Sequence, residues 1–169
     1  MKRNISITKL VFGIYCFLLV WVVIFKISIS WEEVRMLAGS RSFNWIPFYY
    51  DCTGSYSVLR RETLLNVVVF LPFGVYLKML GKPMGKTILW GFLVSASFEL
   101  VQFIFSLGAT DITDLIANTM GVVIGALGYA VARKLFKTKK KLDRLINILA
   151  LVAMALFAAL MAVLFLGNK

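Results

Sequence analysis

The chain has 169 residues, 60% of them hydrophobic, with a mean hydropathy of +0.86 and a net charge of +11. A soluble domain carries about 45–50% apolar residues, so this composition excludes an ordinary water-soluble fold. Histidine is absent, and Cys16 lies in an apolar run while Cys52 lies in a loop, so the commonest metal ligand and general base is missing and no disulfide is expected.

Five apolar runs stand out in chain order: Leu10–Ile29, Leu64–Leu80, Thr87–Leu107, Leu115–Ala132 and Leu145–Leu166. Each approaches the roughly 20 residues that cross a hydrocarbon core about 30 Å thick. The chain between them is too short for a separate soluble domain, which predicts an all-α, polytopic helix bundle spanning residues 1–169 as one membrane domain. Lys2, Arg3 and Lys9 precede the first run in the manner of a signal peptide. Signal h-regions run only about 7–15 residues, however, so the run is read as a retained anchor. The stretch from Lys26 to Thr63 is rich in aromatics (Trp31, Phe43, Trp45, Phe48, Tyr49, Tyr50, Tyr56) and is expected to lie on the membrane surface, with Pro47 and Gly54 breaking any long helix. Pro72 and Gly74 in the second run predict a kink near Phe70–Phe73. The fifth run has no polar side chain from Leu149 to Leu166 and reads as a packing helix.

Charge fixes the expected orientation. With the amino terminus cytoplasmic and the carboxyl terminus outside, thirteen of the nineteen basic residues fall inside, the largest group running from Arg133 to Arg144. Seven of the eight acids fall outside or in the outer half of the membrane, leaving Asp143 inside. This is the positive-inside pattern, and it absorbs a charge that could otherwise suggest nucleic acid. Membrane lipid is the expected partner, with anionic lipid a further attraction for the 133–144 cluster. No nucleic acid is expected.

Polar side chains within a span are costly and therefore informative. Ser95, Glu99, Gln102 and Ser106 are spaced 4, 3 and 4, which puts them on one face of the third span. Glu99 lies thirteen residues beyond Lys86, about 20 Å along a helix and hence in the outer part of the membrane. On the fourth span Asp111, Asp114 and Asn118 share a face that Gly121, Gly125 and Gly128 continue inward. Small residues at that interval let another helix approach closely, so this face is expected to point into the bundle. Asn66 opens the second span, and the six residues Asn66, Glu99, Gln102, Asp111, Asp114 and Asn118 are expected at one outer level. Thr110 or Asp111 could equally cap the fourth helix, and Asn66 and Gln102 could be interhelical hydrogen-bond glue.

At these residues the sequence resembles the VanZ family. Arg41-Ser-Phe-Asn44-Trp-Ile-Pro47-Phe48 is similar to the family's N-x-x-P-F, and Asn66-Val-Val-Val-Phe70-Leu-Pro72-Phe73-Gly74 to its N-x-x-x-F-x-P-F-G. Phe98-Glu99-Leu-Val-Gln102-Phe and Gly108-Ala-Thr-Asp111-Ile-Thr-Asp114-Leu-Ile-Ala-Asn118-Thr-Met-Gly121 resemble F-E-x-x-Q-F and G-A-T-D-I-T-D-x-x-x-N-T-x-G, in the expected order. Many members carry an Arg shortly before the first Asp of the last motif; this chain has Gly108 and its neighbours there. The resemblance implies a multi-pass protein of the bacterial cytoplasmic membrane, associated with low-level resistance to the glycopeptide teicoplanin. The expected action is binding, with little or no catalysis and no cofactor, of a cell-wall precursor or lipoglycopeptide at the outer leaflet. Asn44, Pro47, Phe48, Asn66, Glu99, Gln102, Asp111, Asp114 and Asn118 would form the site. The alternative is an intramembrane enzyme acting on a polyprenyl-linked intermediate, with Glu99 as acid or base and Asp111 and Asp114 holding a divalent cation. A third reading is a structural partner for another membrane protein through the glycine face. Transport is disfavoured because no inverted repeat is visible.

Overall fold

The computed structural model describes residues 2–24, 43–48, 56–105 and 110–167. The far end of the first apolar run, most of the aromatic loop (Trp31, Arg41, Tyr49 and Tyr50 among it), Ser106 and Gly108 lie outside the described residues. Within them the order is α1 (Lys2–Ile24), β1 (Phe43–Asn44), α2 (Tyr56–Met79), α3 (Met84–Phe105), β2 (Thr110–Asp111), α4 (Ile112–Leu135) and α5 (Lys139–Gly167). Four of the helices contain apolar stretches of 19 to 26 residues, long enough to cross a bilayer, and α1 contributes a shorter one, Ile7–Val23. The all-α bundle expected from the five apolar runs is present. Its helices overrun those runs: α2 begins at Tyr56 and α5 at Lys139, because charged residues at a membrane helix end still satisfy their backbone within the helix.

What sets the bundle apart from a soluble protein is its apolar exterior. Leu10, Phe17, Leu100, Phe105, Leu156 and Leu166 are exposed, while Thr8, Thr87, Ser95, Glu99, Gln102 and Asn118 are buried. A shell this apolar is at home only against lipid, so the protein is a membrane protein.

Its tightest seam joins α2 to α4, which run parallel. A Cβ added to Gly121 would overlap the Val67 carbonyl, one on Gly125 the Leu71 carbonyl, and one on Gly74 the Val122 carbonyl. The small residues therefore act as expected, letting two backbones touch, and α2 supplies Gly74 to the same seam. Gly128 departs from the expectation: no atom lies within 4 Å of its would-be Cβ. The close approach ends one turn earlier. Gly91 of α3 is fitted against the Val122 side chain, with Cγ2 at 2.7 Å from a would-be Cβ.

The helix α2 continues through Pro72, at the place where the sequence predicts a kink. Proline removes one internal hydrogen bond and crowds the carbonyl four residues back. On the same turn the Tyr15 hydroxyl donates to the Val69 carbonyl at 2.7 Å, tying α1 to α2. Around it Phe12 stacks on Tyr76 at 5.4 Å and meets Phe73 at 5.5 Å, while Phe70 packs edge-on against Phe98 of α3 at 6.1 Å. The helix α5 is the outlier, with 11% of its apolar window buried against 28% to 39% for the other three long spans. It packs on the bundle through a narrow set of buried residues, Leu142, Asn147 and Met161.

One end of the bundle gathers the start of α1 and α5 and the ends of α2 and α4. There Asn147 bonds Thr8, Tyr129 bonds Asp143, and the Lys139 ammonium donates to the Met79 carbonyl at 3.1 Å. The basic residues from Lys78 to Lys86 and from Arg133 to Arg144 lie at this end. By the positive-inside rule this end is expected to be the cytoplasmic one. Cysteines introduced singly as Ser106→Cys and Thr138→Cys, in a background lacking Cys16 and Cys52, are expected to react differently with an impermeant thiol reagent on intact cells, 106 labelling and 138 staying protected. Equal labelling, or labelling of 138 alone, would reverse the orientation.

Candidate functional site

At the opposite end, α3 and α4 meet through a chain of hydrogen bonds that begins with Glu99. The residue is 8% exposed, and its Oε2 accepts the Asp111 backbone N–H at 3.1 Å. Asp111 is the N-cap of α4: its backbone is extended, and its Oδ1 accepts the Thr113 N–H at 2.7 Å. The free N–H groups of a helix start call for such an acceptor. The other oxygen, Oδ2, accepts from Asn44 Nδ2 at 3.2 Å. The capping alternative is thus realised at Asp111.

Asn44 and Asp111 also face each other in a parallel pair of two-residue strands, Phe43 opposite Thr110 and Asn44 opposite Asp111. Asn44 Oδ1 accepts the Ile46 N–H at 3.2 Å, turning the chain so that the Phe48 N–H donates to Thr113 Oγ1 at 3.0 Å. Phe48 adopts φ +57°, a conformation uncommon for a residue with a Cβ. Asn44 and Phe48 therefore clip the loop onto the start of α4. Pro47 sits in the turn between them, exposed.

Beside this clip lies a cavity of about 250 Å³ between α1, α2, α3 and α4. Asn66, Glu99, Gln102, Asp114 and Asn118 all line it, together with Glu62 and the apolar Val22 and Val23. Five of the six residues expected at one level are brought together. Asp111 is the exception: it lines a neighbouring, mostly apolar cleft with Trp45, Glu99 and Phe103. Glu99 borders both spaces.

The amide nitrogens of Asn66, Gln102 and Asn118 are each held by a neighbour. Asn66 Nδ2 donates to Asp114 Oδ1 at 2.6 Å, joining α2 to α4, and Asn118 Nδ2 donates to Ser95 Oγ at 2.9 Å, joining α4 to α3. Gln102 Nε2 donates to the Val23 carbonyl at 3.0 Å, joining α3 to α1. The glue reading of Asn66 and Gln102 thus holds as well, since both fasten helices while lining the space. Asn118 is 1% exposed and its Oδ1 accepts no hydrogen bond among the described residues. A buried acceptor left unpaired is destabilising by about 1–3 kcal/mol.

Three contributors, Glu62, Val22 and Val23, escaped the sequence. Glu62 stands four residues before Asn66 on the same face, a signal that was available. Val22 and Val23 carried none, since nothing in an apolar run shows which residue will wall a polar space. Glu62, Glu99 and Asp114 give the cavity an acidic, acceptor-rich lining suited to hydroxyl or ammonium donors. Among the described residues no three His, Cys, Asp or Glu converge as a metal site, and Asp111 and Asp114 line different spaces.

Residues 12–133, which contain this whole site, match the VanZ/LLP1 family. The chain is also 37% identical over 146 residues to Protein VanZ of Enterococcus faecium, an alignment covering 85% of this chain and 86% of that protein. No solved structure matches it. With the matched segment spanning four of the five helices and every residue of the cavity, the chain belongs to the VanZ/LLP1 family of membrane proteins.

Proposed function

We propose that this protein works at the outer face of a bacterial cytoplasmic membrane, where it lowers the exposure of the cell to acylated glycopeptides such as teicoplanin. It does so by binding the polar part of a lipid-anchored cell-wall precursor or of the drug itself. The observation that carries this reading is the cavity in which Asn66, Glu99, Gln102, Asp114 and Asn118 of three helices converge. Its likeness to Protein VanZ of Enterococcus faecium supports it.

Size narrows what is held. Pockets for whole drug-sized ligands measure about 300–1,000 Å³, whereas this cavity is about 250 Å³. It takes a headgroup-sized fragment rich in hydrogen-bond donors and leaves the rest of the amphiphile in the bilayer or in water. Binding needs no chemistry, and none of the interactions above requires a cofactor.

Expression of the protein in a sensitive bacterium is expected to raise the tolerated concentration of teicoplanin several-fold over an empty vector. A glycopeptide lacking the acyl chain should gain less, because it is not held at the membrane surface. Equal susceptibility with and without the protein to both drugs would overturn the reading.

A further inference from the structure

A second cavity, at the cytoplasmic end, is untouched by the function above. It is a groove of about 410 Å³ between the starts of α1 and α5, lined by Thr8, Asp143, Arg144 and Asn147 among the apolar Ile7, Ile148 and Leu151. Thr8 and Asn147 fall outside the segment matched to the family, residues 12–133. We propose that this groove binds the headgroup of an anionic glycerophospholipid that carries hydroxyl donors besides its phosphate, the chemistry of phosphatidylglycerol.

Three observations carry it. Asn147 is 7% exposed, its Nδ2 donates to Thr8 Oγ1 at 3.1 Å, and its Oδ1 accepts no hydrogen bond among the described residues. Asn147 lines the groove, and a buried acceptor beside it calls for a donor from whatever fills it. Arg144 is exposed at the rim and makes no hydrogen bond or ion pair among the described residues. It is a cation near the start of α5 that can pair with a phosphate. The third observation is the apolar rim: Ile7, Ile148 and Leu151 are 44%, 51% and 44% exposed and lead from the charged end into the bilayer.

The groove thus presents a cation for phosphate, acceptors for hydroxyls and an apolar flank for acyl chains. The surrounding charge selects the sign of the lipid. Between residues 133 and 147 seven Lys and Arg face one acid, Asp143, whose Oδ1 is taken by the Tyr129 hydroxyl at 2.8 Å. A net-negative headgroup is attracted there. The choline group offers no donor to Asn147 and adds a positive charge to a positive surface.

The test uses the purified full-length protein in detergent and three dioleoyl lipids titrated in parallel, with lipid-bound protein counted by native mass spectrometry. Phosphatidylglycerol is compared with phosphatidylmethanol, an anionic diester without hydroxyls, and with phosphatidylcholine. Wild type is expected to prefer phosphatidylglycerol over phosphatidylmethanol by about fivefold, the scale of one hydrogen bond, and both over phosphatidylcholine. Arg144→Gln should narrow the preference for both anionic lipids over phosphatidylcholine severalfold. Asn147→Leu should equalise phosphatidylglycerol and phosphatidylmethanol while keeping both above phosphatidylcholine. If Asn147→Leu fails to fold, the wild-type series and Arg144→Gln, at an exposed position, still decide. Equal wild-type binding of phosphatidylglycerol and phosphatidylmethanol, or unchanged selectivity in Arg144→Gln, overturns the proposal.

Discussion

Gly125→Leu is expected to abolish stable folding, or to lower thermal stability in detergent severely, while Gly128→Leu is expected to be nearly silent. Both glycines lie on α4, one turn apart. A Cβ at Gly125 would collide with the Leu71 carbonyl, with Leu71 Cα also at 3.2 Å, whereas at Gly128 nothing lies within 4 Å. Overpacking a core costs about 1–3 kcal/mol when side chains can give way. Here the obstacle is backbone on a facing helix, so relief requires α2 and α4 to separate along their whole seam. The cost should therefore reach or exceed the upper end of that range. Because α2 and α4 carry Asn66 and Asp114, the same substitution is expected to open the polar cavity. The measurement is the midpoint of thermal aggregation for the two variants at equal detergent and protein concentration. Similar midpoints for both would mean that α4 meets lipid at Gly125.

The second large effect separates two aspartates three residues apart. Asp114→Asn is expected to remove drug protection at an unchanged membrane level, and Asp111→Asn to retain most of it. Asp114 lines the cavity, and its Oδ1 accepts the Asn66 amide at 2.6 Å. An asparagine there keeps one accepting oxygen but loses the charge, so stability should fall by about 1 kcal/mol while the acidic lining is weakened. Asp111 is engaged as a helix cap and as the partner of Asn44. Asparagine caps a helix about as well as aspartate, whereas Asp111→Ala should be destabilising by about 1 kcal/mol through the cap alone. If Asp111→Asn abolishes protection and Asp114→Asn does not, the functional space is the cleft beneath Trp45 and not the cavity between the helices.

Much of this architecture could be read before any coordinates because membrane helices announce themselves twice, by apolar length and by the cost of every polar exception. The spacing of Ser95, Glu99 and Gln102 was enough to place them on one buried face, and all three are buried. The glycine interval announced a close helix contact, but it could not name α2 as the partner, since sequence spacing describes one helix and not its neighbour. Nor could Gly128 be separated from Gly125, because spacing along one helix does not show how far its neighbour stays within reach. The pairing of Asn44 with Asp111 joins residues 67 positions apart through two-residue strands, too short to leave any alternation. Thr8 and Asn147 lie 139 positions apart, and each looks ordinary in its own helix. Their partnership exists only once α1 and α5 are side by side.

Glu99 is where these lines meet. It borders both the polar cavity and the Trp45 cleft, it holds the start of α4 through the Asp111 N–H, and it lies on the helix face that the spacing singled out. Glu99→Gln keeps the shape and an oxygen that can still accept that N–H, so folding should survive while the carboxylate is lost. The most direct measurement is teicoplanin susceptibility of a sensitive bacterium producing wild type or Glu99→Gln at equal membrane levels, verified by blotting. Susceptibility of the variant strain equal to the empty vector is the predicted result; protection equal to wild type would contradict the claim that this cavity is where the protein acts.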